Sequence, residues 1–289
     1  MRNFLILCGF FAIVAFGTAN IERASAADIP APAPAEQFDV PPDAQLQFDF
    51  VPLYVWIPGF SGDLGVFGNK VKVDVTPIDI ISNLGDFLKA LDGLYFGAGH
   101  LRYGDIGFMY DVTYMEVSST AEFDAQDVSG ALDVGFGVTI GTLLGTYRLV
   151  DDNATEVDLL AGARIYDIKL DVTFDATLEL NLGPFPLPPI DIPTIKLKEG
   201  DDWVDPVVGV KGSHYISERT YLTGWAMVGG FGVGSDFMYD IFGGLGYEFN
   251  DTFSAVGGMR ASYADYKGKN GFLWDMLLYG PIMGATVRF

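Results

Sequence analysis

The chain has 289 residues, 49% hydrophobic and 14% aromatic, with 36 glycines and a formal charge of −21 from 17 Lys+Arg against 38 Asp+Glu. That acidic surplus excludes nucleic acid as a partner, and past the N-terminal segment no window of 18 apolar residues lies free of charge, which argues against helices that cross a membrane. So many apolar and aromatic side chains with so few helix signals also fit poorly with a soluble secreted domain.

The chain opens with Arg2, an apolar run from Phe4 to Phe16, and Ala24-Ser25-Ala26. These are the charged, hydrophobic and small-x-small parts of an export signal, with cleavage expected after Ala26. Cys8, the single cysteine, falls inside it, so the mature chain is expected to have no thiol or disulfide chemistry. Residues 27–44, rich in Pro and Ala, read as an extended linker. The organisation expected is therefore signal 1–26, linker 27–44 and one domain over 45–289.

From Gln45 onward, apolar and polar positions alternate. Ten strands are predicted, roughly at 45–56, 92–102, 105–117, 131–149, 155–172, 203–216, 219–231, 236–249, 252–266 and 272–289. In the third, Ile106, Phe108, Tyr110, Val112 and Tyr114 oppose Gly107, Met109, Asp111, Thr113 and Met115. In the fourth, Leu132, Val134, Phe136, Val138 and Ile140 oppose Asp133, Gly135, Gly137, Thr139 and Gly141. An apolar face opposite a small or polar face over about ten residues marks strands that cross a membrane in a closed barrel. The fold expected is all-β, an antiparallel up-and-down transmembrane β-barrel of about ten strands. Eight or twelve remain open, because 62–73 and 175–182 also read as strand. Short turns at 103–104, 150–154, 217–218 and 250–251 alternate with longer connections at 57–91, 118–130, 173–202, 232–235 and 267–271. With both termini periplasmic, the short turns fall on the periplasmic side.

The first long loop carries a helix signal. Thr76 caps, Pro77 takes the first helical position and Asp79 follows in the first turn. Ile80, Ile81, Leu84, Phe87 and Leu88 then recur at helical spacing, as a lid at the barrel mouth or a helix packed on its rim. The aromatics Trp56, Trp203, Trp225, Tyr247, Phe249, Trp274 and Tyr279 are assigned to interface girdles.

Parity turns eight charges inward: Asp49, Asp111, Arg164, Asp205, Lys211, Asp240, Arg260 and Arg288. A Lys or Arg facing lipid at mid-membrane costs about 2–4 kcal/mol, so these line the lumen, either as the walls of a small pore or as a salt-bridged plug. The same parity puts Gly135, Gly137, Gly141 and Gly145 inside. His100 and His214 fall near the periplasmic strand ends without a Ser or acid partner that the sequence positions, and neither metal-ligand spacing nor a phosphate loop occurs. No catalytic residue, metal or cofactor is assigned, and the chain is expected not to be an enzyme.

The last strand, Met283 to Phe289, alternates to a terminal aromatic and resembles the segment that bacterial outer-membrane barrels present to the barrel-assembly machinery, with Phe289 as the signal residue. Tyr54-Val55-Trp56-Ile57-Pro58-Gly59-Phe60-Ser61-Gly62, Gly162-Ala163-Arg164-Ile165-Tyr166, Asp205-Pro206-Val207-Val208-Gly209, Gly229–Asp236, Gly258-Met259-Arg260 and Gly280–Gly284 occur in an order that resembles a largely uncharacterised family of proteobacterial outer-membrane barrels over 45–289. Met259 departs from the aromatic often found there, a change in lipid-face packing. The resemblance implies fold and outer-membrane location but no substrate. Outer-membrane lipid and lipopolysaccharide are the partners implied, with a monomer as the expected state. Two functions are expected: a small gated channel for small solutes, or a non-conducting barrel with a structural or surface-interaction role.

Overall fold

The computed structural model describes residues 46–51, 54–125, 128–152, 154–178, 181–182, 185–186, 190–268 and 271–289; the expected signal and linker lie outside them. The chain enters through β1 (Leu46–Val51), β2 (Tyr54–Trp56) and β3 (Gly59–Val66), and β4 (Asn69–Val75) turns back on β3. Two short helices follow, α1 (Pro77–Ser82) and α2 (Leu84–Ala90). Then come β5 (Leu91–Tyr103), β6 (Ile106–Ala125), β7 (Val128–Asp151), β8 (Thr155–Leu178), the small pair β9 (Asn181–Leu182) and β10 (Phe185–Pro186), and β11 (Ile190–Tyr215). The chain finishes with β12 (Thr220–Gly229), β13 (Phe237–Glu248), β14 (Phe253–Lys267) and β15 (Leu273–Arg288).

Neighbouring strands pair antiparallel, and β1 closes the ring by pairing with β5 on one edge and β15 on the other, so that Asp49 stands opposite both His100 and Arg288. Phe289 extends the closure through backbone bonds in both directions with Phe48, whose ring stacks on its own at 6.4 Å. Since β1, β2 and β3 run in turn along β15, they share one place in a ring of ten. Outward side chains such as Phe108, Leu143, Leu159, Leu222, Leu245 and Met259 are all about half exposed, an apolar belt that water would not tolerate and lipid covers.

On β7 the alternation was read the wrong way round. Val138, Ile140 and Leu144 are buried in the interior, Leu144 completely, while Gly137, Gly141 and Gly145 face outward, with nothing within 4 Å of a side chain built at Gly141. The cause is an interior that is itself largely apolar. Leu160, Ile168, Val207, Met238 and Trp274 are each 0–1% exposed and join Leu144 in one cluster inside the ring. Where both faces of a wall meet apolar surroundings, apolarity alone does not say which is the lipid face.

Strand lengths are uneven. The strands β6, β7, β8 and β11 run for 20, 24, 24 and 26 residues, against 10 and 12 for β12 and β13. A tilted strand needs about 9–11 residues to cross the bilayer, so the four long strands rise beyond it as a projecting wall. The expected loops 118–130 and 173–202 are consequently mostly strand. Above the membrane neither face meets lipid, so a segment such as Ser118-Ser119-Thr120-Ala121-Glu122 lacks the alternation that reveals a strand.

The helical segment expected in the first long loop forms as two helices with a break at Asn83. The α1 cap is reciprocal: Thr76 Oγ1 accepts from the Asp79 amide at 3.2 Å, and Asp79 Oδ2 accepts from the Thr76 amide at 2.9 Å. The Thr76 side chain and amide hold the Asp79 carboxyl below its ordinary pKa. A depressed carboxylate contributes stability above its ordinary range and loses it as pH falls through the folded value. The protection of the Asp79 and Ile80 amides, taken relative to their intrinsic exchange rates, is therefore expected to fall on acidification below the ordinary carboxylate range, and Asp79→Asn should remove that dependence. An unchanged pH profile in the variant would show that the box does not hold the helix.

On the β1 side, β5 pairs only from Ala98 to Tyr103. On the far side of this seam β4 is the last strand. Between them, α1 packs on β3 and β15 while α2 packs on β5 and β6, so the helices bridge two edges that strand pairing leaves apart.

Candidate functional site

At mid-barrel the lumen is crossed by one network of charge. Arg260 on β14 donates through Nη2 to Asp111 on β6 at 2.9 Å and to Asp240 on β13 at 2.9 Å, and through Nη1 to the Tyr54 hydroxyl at 3.3 Å. Asp240 also pairs with Arg164 Nη2 on β8 at 2.9 Å and accepts from Trp225 Nε1 at 2.7 Å. Arg164 Nε reaches Thr142 on β7, and Tyr54 donates to Asp111 at 2.7 Å. In the ring, β6 and β13 stand on opposite walls, so Arg260 ties one side of the barrel to the other. Its guanidinium carbon lies 4.9 Å from the Trp56 ring and 5.5 Å from Trp225, within cation–π range. Charges this deep tolerate desolvation only when paired and hydrogen-bonded: Arg260 and Asp240 are both, while Arg164 bonds Thr142 and Ser262 through Nε and Nη1 and meets Asp240 through Nη2 as an ion pair without hydrogen-bond geometry.

Toward the long-loop end the interior is aromatic. Trp203 is stacked between Tyr166 at 4.6 Å and Tyr266 at 4.0 Å, and Trp274 lies against Phe136 at 6.4 Å. The connection between β12 and β13 is drawn in over them. Ser235, fully buried, gives its amide and hydroxyl to Asp205 at 2.6 and 2.7 Å and accepts from Trp203 Nε1. This explains why that outer loop is short: it is a clamp held inside the ring.

Toward the short-turn end a cavity of about 200 Å³ remains, with Trp225 and Phe242 among its apolar lining and Asp49, His100, Asp158, Lys211 and Arg288 among its polar lining. Asp49 pairs with Arg288 at 2.9 Å, and Arg288 reaches Glu248 at 3.3 Å. Arg148 gathers Asp151, Glu156 and Asp158. Lys211 Nζ has a 3.5 Å contact with His100 Nδ1, and His100 Nε2 lies 3.0 Å from Thr146. The other histidine, His214, bonds Thr155 at 3.0 Å.

The eight charges singled out in the sequence thus fall into four settings. Asp111, Arg164, Asp240 and Arg260 come together at the centre, Asp49 and Arg288 pair by the chain closure, Asp205 clamps a loop, and Lys211 stands at the cavity. Arg148, Tyr54, Trp56 and Trp225 were missed as members of the interior. Trp56, Trp203 and Trp274 are 3%, 5% and 1% exposed, so they are core rather than girdle, and Trp225 bonds Asp240 inside; Tyr247 and Phe249 do face outward. The lid positions divide: Ile80 is buried, Phe87 is half-buried, and Ile81, Leu84 and Leu88 are exposed.

The closed ring, its apolar belt and its ion-paired lumen give the fold of outer-membrane β-barrels. No family model matches the chain, and no curated protein matches it. Among solved structures it is similar to the outer membrane protease OmpT from Escherichia coli, with a TM-score of 0.52 and 13% identity over 88% of this chain and 99% of that one. Looser likenesses reach the translocator domain of the autotransporter NalP from Neisseria meningitidis (TM-score 0.31, 13% identity, 85% of this chain and 88% of that one) and a FadL homologue from Pseudomonas aeruginosa (0.24, 8%, 85% and 89%). The first likeness corrects one expectation. The sequence reading set enzymes aside, yet this fold is one that carries a protease, so the architecture does not exclude catalysis. At 13% identity the likeness extends to the fold alone.

Proposed function

We propose that this protein is a non-conducting outer-membrane barrel that works at its surfaces, through the projecting wall on one side of the bilayer and the pocketed lumen on the other. One observation carries the reading: the Asp111–Arg260–Asp240–Arg164 network joins opposite walls across the middle of the ring. A gated channel needs a plug that can leave. These four side chains sit on four strands of the wall itself, and Arg164 and Asp240 are fully buried. Clearing a path would strip paired charges of their partners in a low-dielectric interior. A ring of ten is also little wider than the eight-stranded rings that side chains fill.

The test is a planar-bilayer recording of the refolded protein, with folding confirmed by heat-modifiable gel mobility. A silent bilayer is the expected outcome. Discrete, reproducible openings with a defined reversal potential would overturn the reading and restore the small gated channel.

A further inference from the structure

We infer that α1 and α2 lie in the outer leaflet as a lipid-contacting flange beside the barrel wall. The inference is independent of whether the lumen conducts. The segment Pro77–Ala90 carries an apolar arc wider than its packing against the barrel requires. Ile80 is buried and Phe87 half-buried, whereas Ile78, Ile81, Leu84 and Leu88 are 72%, 49%, 45% and 56% exposed. At 3.6 residues per turn within each helix, Asp79 and Ser82 of α1 fall away from Ile81, and Asp86 and Lys89 of α2 fall away from Leu84 and Leu88, while Ile78 stands at the margin of the polar side. Asp86 and Lys89 pair with each other at 2.9 Å, each 80% exposed, which marks that side as the one facing water. Three directions are thus set: one apolar sector against the protein, a polar sector in water, and a second apolar sector that none of the described residues covers.

Lipid is the occupant that the surroundings specify. The buried Ile80 is separate from the aromatic cluster inside the ring, so α1 is not packed into the lumen core. The helix pair bridges the seam between β3–β4 and β5, and α2 runs directly into β5, whose outward residues Tyr95, Leu101 and Tyr103 are 43%, 40% and 49% exposed and belong to the apolar belt. The uncovered sector of the helices continues that belt. A helix with an apolar face and a charged face, in contact with a bilayer, settles in the interfacial plane with its apolar face among the acyl chains. The flange also covers the upper edge of β5, which β1 does not reach, and exposed strand edges do not persist in lipid.

The test is depth-dependent fluorescence quenching in the full chain. Cys8→Ser removes the native thiol, and single cysteines are introduced as Leu88→Cys, Asp86→Cys and, for a lipid-face reference on β14, Met259→Cys, each labelled with an environment-sensitive dye. The proteins are refolded into phosphatidylcholine vesicles with brominated acyl chains, and heat-modifiable mobility confirms folding. The label at 88 is expected to be quenched by brominated chains within about twofold of the label at 259, while the label at 86 is quenched by aqueous iodide instead. Iodide quenching at 88 without brominated-chain quenching would place the helices in water and overturn the inference. Protection of 88 from both quenchers would mean that protein covers it, a second copy included, and would overturn it equally.

Discussion

Arg260→Ala is expected to destabilise the folded barrel by about 3–5 kcal/mol, the range for removing one partner from a buried ion pair. The guanidinium lost is the one group that bonds Asp111, Asp240 and Tyr54 together. Asp240 would retain Arg164 and Trp225, but Asp111 would keep only the Tyr54 hydroxyl and its exposure to whatever water the vacated space admits. The readout is the temperature at which the heat-modifiable band converts, together with urea unfolding in vesicles. Arg260→Lys should recover only part of this: one ammonium can meet both carboxylates, as Nη2 alone does, but the bonds from Nη1 to Tyr54 and from Nε to Asp240 and the planar contact with Trp56 and Trp225 are lost. Replacing Asp111, Arg164, Asp240 and Arg260 together by apolar residues should cost less than Arg260→Ala alone, since no charge of the network is then left buried without its partner. A neutral Arg260→Ala would remove the network as the device that closes the lumen.

Leu144→Ala is expected to cost about 2–5 kcal/mol, the range for emptying a fully buried aliphatic site. The adjacent face should respond in the opposite way. Gly141→Val adds a side chain where nothing lies within 4 Å of the new Cβ, with no positive φ to strain it, and should be tolerated to within about 0.5 kcal/mol. The pair is a direct measurement of which face of β7 looks inward. If Gly141→Val proved the damaging change and Leu144→Ala the silent one, the interior would be on the glycine side.

That pair also marks the limit of what could be read from the sequence. The ring of about ten antiparallel strands was legible because most strands alternate against lipid, and the short turns after β5, β7, β11 and β13 carry their own Gly, Asn, Asp and Ser. On β6 the polar face, Asp111 and Thr113, is indeed the buried one. On β7 the rule was applied to apolarity when a charge would have decided it. Arg148 shares parity with Ile140 and Leu144, and its side chain is 3% exposed and bound to Asp158 and Glu156. Reading inward from Arg148 gives the correct face, although near the strand end a lipid-facing guanidinium would cost only about 0–1 kcal/mol. The tryptophans were misassigned for a related reason. Indoles suit both an interface and a packed core, and the internal partners of Trp203 Nε1 and Trp225 Nε1, Ser235 and Asp240, come from other strands or loops that no local pattern pairs with them. The tall strand ends were hidden because strand outside the bilayer has no apolar face to display. The grouping of Asp111, Asp240, Arg164 and Arg260 depends on barrel closure, which brings distant segments together at a height no local pattern records.

The unequal strands give the protein a rim that slopes. Between β6 and β11 the wall continues well past the bilayer, whereas at β12 and β13 the backbone turns back almost as soon as it has crossed. Anything arriving from the bulk, whether an antibody, a phage tail or a neighbouring cell, meets the crest first and is held away from the lower side. Foreign peptide inserted between Ala125 and Val128 would be carried at the long ends of β6 and β7, away from the charges that close the ring. The same insertion between Gly229 and Phe237 would pull out the Ser235 clamp and expose the stacked rings beneath it.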